Sequence, residues 1–539
     1  MTDWPGAVDP ELAQRRAQRE LRRQQRRRQV VVRRTVALAI LGVVAIGIAG
    51  GIALSSGSAG SSTKGASTPQ PEPKPAAKPD VILGAINPKV PGITTFRGNL
   101  TRTYYGHGPV PRHPVVKWRY PESGGMCAES TDEHGSSTWC GTGWTGQPNV
   151  VPHKKLLELR FGAYDDHYHF LNAITGKQIK PDLVTGDLAK GSATSDPDGY
   201  PLYYAGSRDN QFRIIATDRP TPTVLWSMDA ETTVPYKHWN NDWDGAALIV
   251  GDYLLEGGEN SWFYVVKLNR GYSKGKVTVN PQIVVTIPGW DDQLAADFPT
   301  DAFSIENSVS FRKGIVYFAN SAGLVQGWDI RDLLRGGSHY RRTFRFWTGD
   351  DTDASVVVDE KGFLYVASEL EKYDERSQEV GQLMKLNPYR KGNPVVWSLP
   401  VTETGFEGSG GLWSTPALDR GMLYVSTNAG GLLGVDRKTG RIRWKIPLPG
   451  PTWASPVVVD NVLIEGDCSG VLHAWDVSKE GQEPPELWRL KIDDSCIEST
   501  PAVWRNWIWV GTRGGAMYGI SDAARAKKPT KQRARAENA

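Results

Sequence analysis

Leu412–Leu448 reads LWSTPALDRGMLYVSTNAGGLLGVDRKTGRIRWKIPL. Trp413-Ser-Thr-Pro416-Ala-Leu leads in, and Asp419-Arg-Gly421 turns the chain into Met422–Val425. Asn428-Ala-Gly-Gly431 turns it back into Leu432–Val435, and Lys438-Thr-Gly440 leads to a fourth run, Ile442–Ile446, around Trp444. Four short β-prone runs broken by Gly-, Asn- and Asp-bearing turns predict an antiparallel meander. One such sheet cannot bury both its faces and needs neighbours of the same kind.

The neighbours follow. Trp453-Ala-Ser-Pro456 opens a unit that runs to Trp488, and Ser499-Thr-Pro501 opens another that stops near Ile520. Upstream the same opening beat falls at Gly146-Gln-Pro148, Gly191-Ser-Ala, Asp244-Gly-Ala-Ala, Asn307-Ser-Val and Asp353-Ala-Ser. Their spacing, roughly 40–60 residues, is that of propeller blades. The count predicts an all-β fold, an eight-bladed β-propeller of four-stranded antiparallel blades over residues 81–522. The last unit lacks a Trp-bearing fourth strand, whereas Val115–Tyr120 resembles a fourth strand with no preceding three. An N-terminal strand is therefore predicted to close the ring, which removes open sheet edges. Of the twenty Trp, Trp226, Trp347, Trp397, Trp444 and Trp488 fall at matching places on fourth strands and are read as packing residues.

The rest of the chain is organised around that ring. Residues 1–34 carry ten Arg and form a basic arm. Thr35–Leu54 is twenty residues without a charge, enough to cross a hydrocarbon core of about 30 Å as a helix. The Arg-rich flank predicts a single transmembrane helix with the N-terminus inside and the propeller on the extracytoplasmic side of the cell membrane. Residues 55–80 are a Ser/Gly/Pro-rich linker, and 523–539 a basic tail predicted to be disordered. The formal charge of +4 comes from these ends and leaves the body mildly acidic. That argues against nucleic-acid binding, which needs its basic patch on the fold itself.

In a meander, the turn between strands two and three and the link to the next blade emerge on the same face of the ring. All four cysteines fall there, which predicts Cys127–Cys140 and Cys468–Cys496 disulfides in an oxidising compartment. The same parity gathers polar residues on one rim. Links supply Asp242, Trp243, Asp244, Glu306, Asn307, Asp351 and Asp353; the turns supply Arg208, Asp209, Glu259 and Asn260. Asp and Asn also populate tight turns for local backbone reasons. Asp242, Asp244, Glu306 and Asp353 stand apart because they precede an inner strand, and they are the candidate metal ligands, suited to Ca²⁺. His167 and His169 share one strand face, which admits a metal pair but fits packing better.

Gly431-Leu-Leu-Gly-Val-Asp436-x-x-Thr-Gly440-x-x-x-Trp444 resembles the repeat of pyrroloquinoline-quinone-type (quinoprotein) propellers. Asn172-Ala-Ile-Thr-Gly176 is a weaker copy. The resemblance covers about residues 81–520. It implies either a quinone-dependent, Ca²⁺-assisted alcohol or sugar dehydrogenase, or a non-enzymatic scaffold such as the lipoprotein of outer-membrane β-barrel assembly. Dehydrogenases of the eight-bladed type carry adjacent cysteines over the quinone, and this chain has no Cys-Cys pair. The reading therefore favours a scaffold that binds an envelope protein or polymer and needs no cofactor. The alternatives are the dehydrogenase, with quinone (PQQ) and Ca²⁺ in the channel, and an envelope carbohydrate sensor.

Overall fold

The repeated Trp explains how the blades lock together. The computed structural model describes residues 81–523, apart from 133–134, 144–145, 154–155, 299, 373–374 and 406–407. The basic arm, the predicted membrane helix at 35–54, the linker and the tail beyond 523 lie outside the described residues. Among the described residues, no helix is long and apolar enough to cross a membrane. Eight antiparallel sheets follow one another in the order the sequence predicts. The sixth is the quoted stretch: Ala417–Asp419, Met422–Thr427, Gly431–Asp436 and Ile442–Pro447 pair in sequence.

In blades two to eight the pairing of the third and fourth strands slips by a residue at one place. In five of these blades a fourth-strand Trp sits beside the slip: Trp226, Trp397, Trp444, Trp488 and Trp118. Opposite Trp444 and Trp118 stand Gly434 and Gly519, where a Cβ would come within 2.1 Å of the indole. The indole N–H then reaches forward. Trp397 donates to the Arg437 carbonyl of the next blade (3.0 Å) and Trp118 to the Ala173 carbonyl of blade one (3.1 Å). The Gly of each Thr-Gly turn lies beneath the preceding blade's Trp; at Gly440, where φ is +74°, a Cβ would sit 2.7 Å from Trp397. The Thr-Gly-x-x-x-Trp pattern is thus an inter-blade staple, and Asp436 holds its turn by accepting from the N–H groups of Lys438 and Thr439. Trp347 is an exception to the sequence reading. Phe344 takes the staple position opposite Gly327, and Trp347, three residues on, donates instead to the Ala322 carbonyl.

The Ser/Thr of the opening beat has its own task. Along the start of the inner strands, a backbone N–H of one blade donates to the hydroxyl of the next. Ser355 N–H reaches Thr415 Oγ1 (3.0 Å), Thr415 N–H reaches Ser455 Oγ (2.9 Å), and Gln147 and Ala246 donate to Ser192 and Ser308 (each 2.8 Å). Ser455 N–H to Thr500 Oγ1 (3.4 Å) and Thr500 N–H to the Gly146 carbonyl (2.8 Å) carry the chain of bonds across the closure.

Closure itself is as predicted: Pro114–Tyr120 pairs antiparallel with Ala516–Asp522 as the fourth strand of blade eight. A second closure lies inside the ring. Gly106–His107 pairs in parallel with the inner strand Ala502–Trp504. The segment before it, Ile93–Tyr105, bonds to inner strands or strand starts of the other seven blades. Ile93 bridges Val150, and the carbonyls of Thr94, Leu100 and Thr101 accept from Ser195, Phe311 and Val358. Only the axis of the ring lies within reach of all these strands, so the central channel is filled by the protein's own chain.

Two fully buried arginines hold that plug. Arg97 donates to the carbonyls of Pro416 (2.6 Å), Thr415 (2.8 Å) and Pro456 (2.5 Å). Arg102 donates to the carbonyls of Val309 (2.6 Å), Ala246 (2.8 Å) and Phe96 (2.8 Å). Burial lowers both guanidinium pKa values, to about 10 and about 9, against the opposing pull of Glu465 and of Glu256. They stay charged at neutral pH because carbonyl dipoles replace the lost water.

Candidate functional site

With the channel filled, the links and strand two–three turns form the chemically dense face. One position in the repeat sets its character. Two residues before the residue that makes these ring contacts (Ser192, Ala246, Ser308, Ser355, Thr415, Ser455 and Thr500) stand Lys190, Asp244, Glu306, Asp353, Trp413, Trp453 and Glu498, in blades two to eight. The blade-one equivalent, Thr145, lies outside the described residues. In ring order this position therefore holds one cation, three acids, two tryptophans and a fourth acid.

The acids separate into two groups. In the first, Lys190 Nζ lies 3.0 Å from each of Asp242 Oδ2, Asp244 Oδ2 and Glu259 Oε1. The two Asp contacts are ion pairs whose angles miss those of hydrogen bonds. Arg208 Nε adds a second cation 3.3 Å from Asp242. Burial, together with Glu259 and in spite of Lys190, pushes Asp242 up to about 6, and burial raises Asp244 and Glu259 as well. Burial opposes the charge on Lys190, but Asp244, Glu259 and Asp242 hold its pKa well above the ordinary range. In the second group, carboxylate oxygens of Asp351, Asp353 and Glu369 lie within 4.8 Å of one another. Lys372 Nζ reaches Asp351 Oδ2 at 2.7 Å. Glu306 lies between the groups and accepts from Ser304 Oγ (2.6 Å) and Ser321 Oγ (3.1 Å). Its charge is felt by Lys190 and by Asp353.

The four candidate metal ligands are thus divided. Asp242 and Asp244 surround Lys190, while Asp353 joins Asp351 and Glu369. Other sequence-predicted residues serve the fold. Trp243 is buried against Phe212 and Tyr264, donating to the Asn210 carbonyl. Asn260 ties its turn to the Ala230 carbonyl and the Tyr264 hydroxyl. Asn307 donates to the carbonyls of Ala319 and Thr352. Asp209 accepts from Gly186 N–H and from Arg213. His167 and His169 do not form a metal pair. The buried His169 ring sits between Asp165 and Asp182, each 3.1 Å away, and burial, which lowers its pKa, is outweighed by those carboxylates, which lift it to about 9.

Both predicted disulfides are present, Cys127–Cys140 and Cys468–Cys496. The first closes the hairpin of Cys127–Asp132 and Gly135–Cys140. Its Trp139 lies 5.7 Å from the Arg208 guanidinium and 4.9 Å from that of Arg513, so the hairpin leans over the rim near blade one. Across the ring, Trp413 and Trp453 stack with centroids 4.8 Å apart, and Trp453 Nε1 donates to Asn428 (2.8 Å).

Sequence reasoning missed Lys190 and Glu369. Lys190 occupies the position that singled out Asp244, Glu306 and Asp353, and aligning all eight beats would have found it. Glu369 belongs to Ser368-Glu-Leu-Glu-Lys372 in the strand two–three connection of blade five, an acidic run the list of turns passed over.

A quinone with Ca²⁺ does not fit these residues in the channel. The axis holds Ile93–Tyr105, and the cleft at the rim beside Lys190, Gln147 and Phe161 has room for about 10 Å³, no more than a single water. Lys190 already occupies the centre of the first acidic group.

No protein-family model matches the chain, and no curated protein matches its sequence. Among solved structures, a quinohemoprotein alcohol dehydrogenase from Comamonas testosteroni superposes with a TM-score of 0.51 at 12% identity, covering 81% of each chain. A europium-containing methanol dehydrogenase gives 0.49 at 14% identity, over 80% of this chain and 98% of that one. The computationally designed Ika8 protein gives 0.49 at 11% identity, over 70% and 96%. At such identities the likeness is one of fold alone, a β-propeller, and the fold does not carry the chemistry with it.

Proposed function

We propose that this chain is a membrane-anchored, extracytoplasmic binding scaffold of the cell envelope, nearer to the non-enzymatic assembly-lipoprotein members of the quinoprotein-like propellers than to the dehydrogenases. The observation that carries the reading is the filled axis. A propeller whose channel is occupied by its own Ile93–Tyr105 segment offers partners its rim, and the rim carries an excess of carboxyl groups from Asp242 to Glu369, of which only the first cluster is centred on a lysine. Such a surface suits a cationic envelope protein or polymer. Anchoring rests on the uncharged run Thr35–Leu54 behind its Arg-rich flank.

The stacked Trp413–Trp453 pair beside Asn428 favours a second reading, a carbohydrate or glycan polymer as the ligand, because aromatic faces next to polar groups suit polyhydroxylated rings. A glycan array separates the two readings. The dehydrogenase alternative has its own test: quinone and Ca²⁺ are added to the purified chain, followed by absorbance spectroscopy and a dye-linked assay. The scaffold reading expects neither a saturable spectrum nor turnover. Saturable quinone binding with turnover overturns it as a complete account.

A further inference from the structure

We propose that Asp351, Asp353 and Glu369 form a binding site for one hard divalent cation of the Ca²⁺ class on the rim of blade five. Their oxygens converge within 4.8 Å. Independently, each residue leaves one buried oxygen without a hydrogen-bond partner: Asp351 Oδ1, Asp353 Oδ1 and Glu369 Oε1. Buried carboxylate oxygens are costly when unpaired. Glu369 is only 3% exposed, while Asp351 and Asp353 are partly exposed.

The neighbouring acidic group is an internal comparison. There, Lys190 is within 3.0 Å of all three carboxylates and Arg208 adds a second positive charge. Here the ammonium of Lys372 meets Asp351 on its other oxygen, Oδ2, and is also drawn to the Ser321 carbonyl at 2.7 Å. Three carboxylates with one ammonium at their edge lack the central cation that the first group carries in its own sequence. The donors are all oxygen, which selects hard cations over Zn²⁺ or Cu²⁺. Three carboxylates fall short of the ligand number Ca²⁺ takes, so water or a partner's oxygen completes the shell. The Asp351–Asp353 spacing and the Glu369 N–H bonded to the Asp351 carbonyl (2.8 Å) hold the three residues together. The rival explanation is a proton shared between close carboxyl groups.

The test uses the purified full-length chain, stripped with chelator and titrated with Ca²⁺ by calorimetry and equilibrium dialysis. One Ca²⁺ per chain is expected. Glu369→Gln and Asp353→Asn should each weaken binding tenfold or more, and Glu480→Gln, on the opposite face, should change it less than threefold. If Glu369→Gln fails to fold, Asp353→Asn, at the partly exposed edge, carries the comparison. No saturable binding up to about 5 mM Ca²⁺, beyond the range of extracellular modules, assigns the cluster to a shared proton and overturns the site. Equal binding by wild type and both variants also overturns it. The outcome is independent of the scaffold reading, because it needs no partner.

Discussion

A single repeat position, two residues before the ring contact, sets the chemical character of the candidate face. Its occupants change from Lys190 through three consecutive acids to two tryptophans and Glu498 without disturbing the backbone that holds them. Lys190 is the test of how tightly that ring is balanced. Lys190→Met leaves Asp242, Asp244 and Glu259 buried without their central cation, and breaking a buried ion group in this way costs on the order of 3–5 kcal/mol. Denaturant unfolding should show that loss at pH 8 and a smaller one at pH 5, where the orphaned carboxyls take up protons. A loss independent of pH would mean the lysine acts by packing alone. His169 gives a second check with a definite sign. Its folded pKa, about 9, lies above the ordinary value of 6.5 because Asp165 and Asp182 outweigh burial. The stabilisation is thus full below about pH 6.5 and is lost as pH rises through about 9, an effect on the order of 3 kcal/mol. His169→Gln should flatten the stability profile across that window, read as unfolding midpoints between pH 6 and pH 10. An unchanged slope would rule out His169 as its source.

At the level of elements, blade and plug differ in how they are written in the sequence. The blade was legible because its devices recur. Gly434 beneath Trp444, Gly440 beneath Trp397 and the hydroxyls of Ser414-Thr415-Pro416 and its copies impose similar residues in most turns of the ring. The two disulfides were legible for a related reason, since strand parity alone places all four cysteines on one face. The plug occurs once and binds through backbone carbonyls that any sequence supplies. Nothing in TTFRGNLTRTYY marks Arg97 and Arg102 as buried, and a basic, polar stretch ordinarily reads as solvated surface. The rim residues were found as a set, but their partners were not, because Lys190 acquires its meaning only when blade two packs beside Asp242, Asp244 and Glu259 of blade three, and Glu369 only when its turn meets the link that enters the same blade. Arg97→Met is the corresponding prediction. It strands the carbonyls of Thr415, Pro416 and Pro456, each worth about 1–3 kcal/mol when buried unsatisfied. A loss of about 3 kcal/mol or more in chemical denaturation is expected, with faster hydrogen exchange along Ile93–Tyr105. Stability within about 0.5 kcal/mol of wild type would show that the plug is not anchored by this side chain.

For the whole molecule, the proposed anchor at Thr35–Leu54 and the proposed binding face of the closed ring are tested separately. The orientation is checked by a reporter fused at Met1, which should remain on the cytoplasmic side; a reporter protected outside the cell reverses the topology. The face itself is tested most directly by photo-crosslinking in native membranes, with a photoreactive amino acid placed at Trp453 or at the exposed Asp494 on the rim, and at Leu83 or Glu480 on the opposite side. The account predicts discrete adducts from the rim positions, competed by a cationic polymer or, for a glycan ligand, by the soluble glycan, and none from the opposite side. Adducts only from Leu83 or Glu480, with a silent rim, would contradict it.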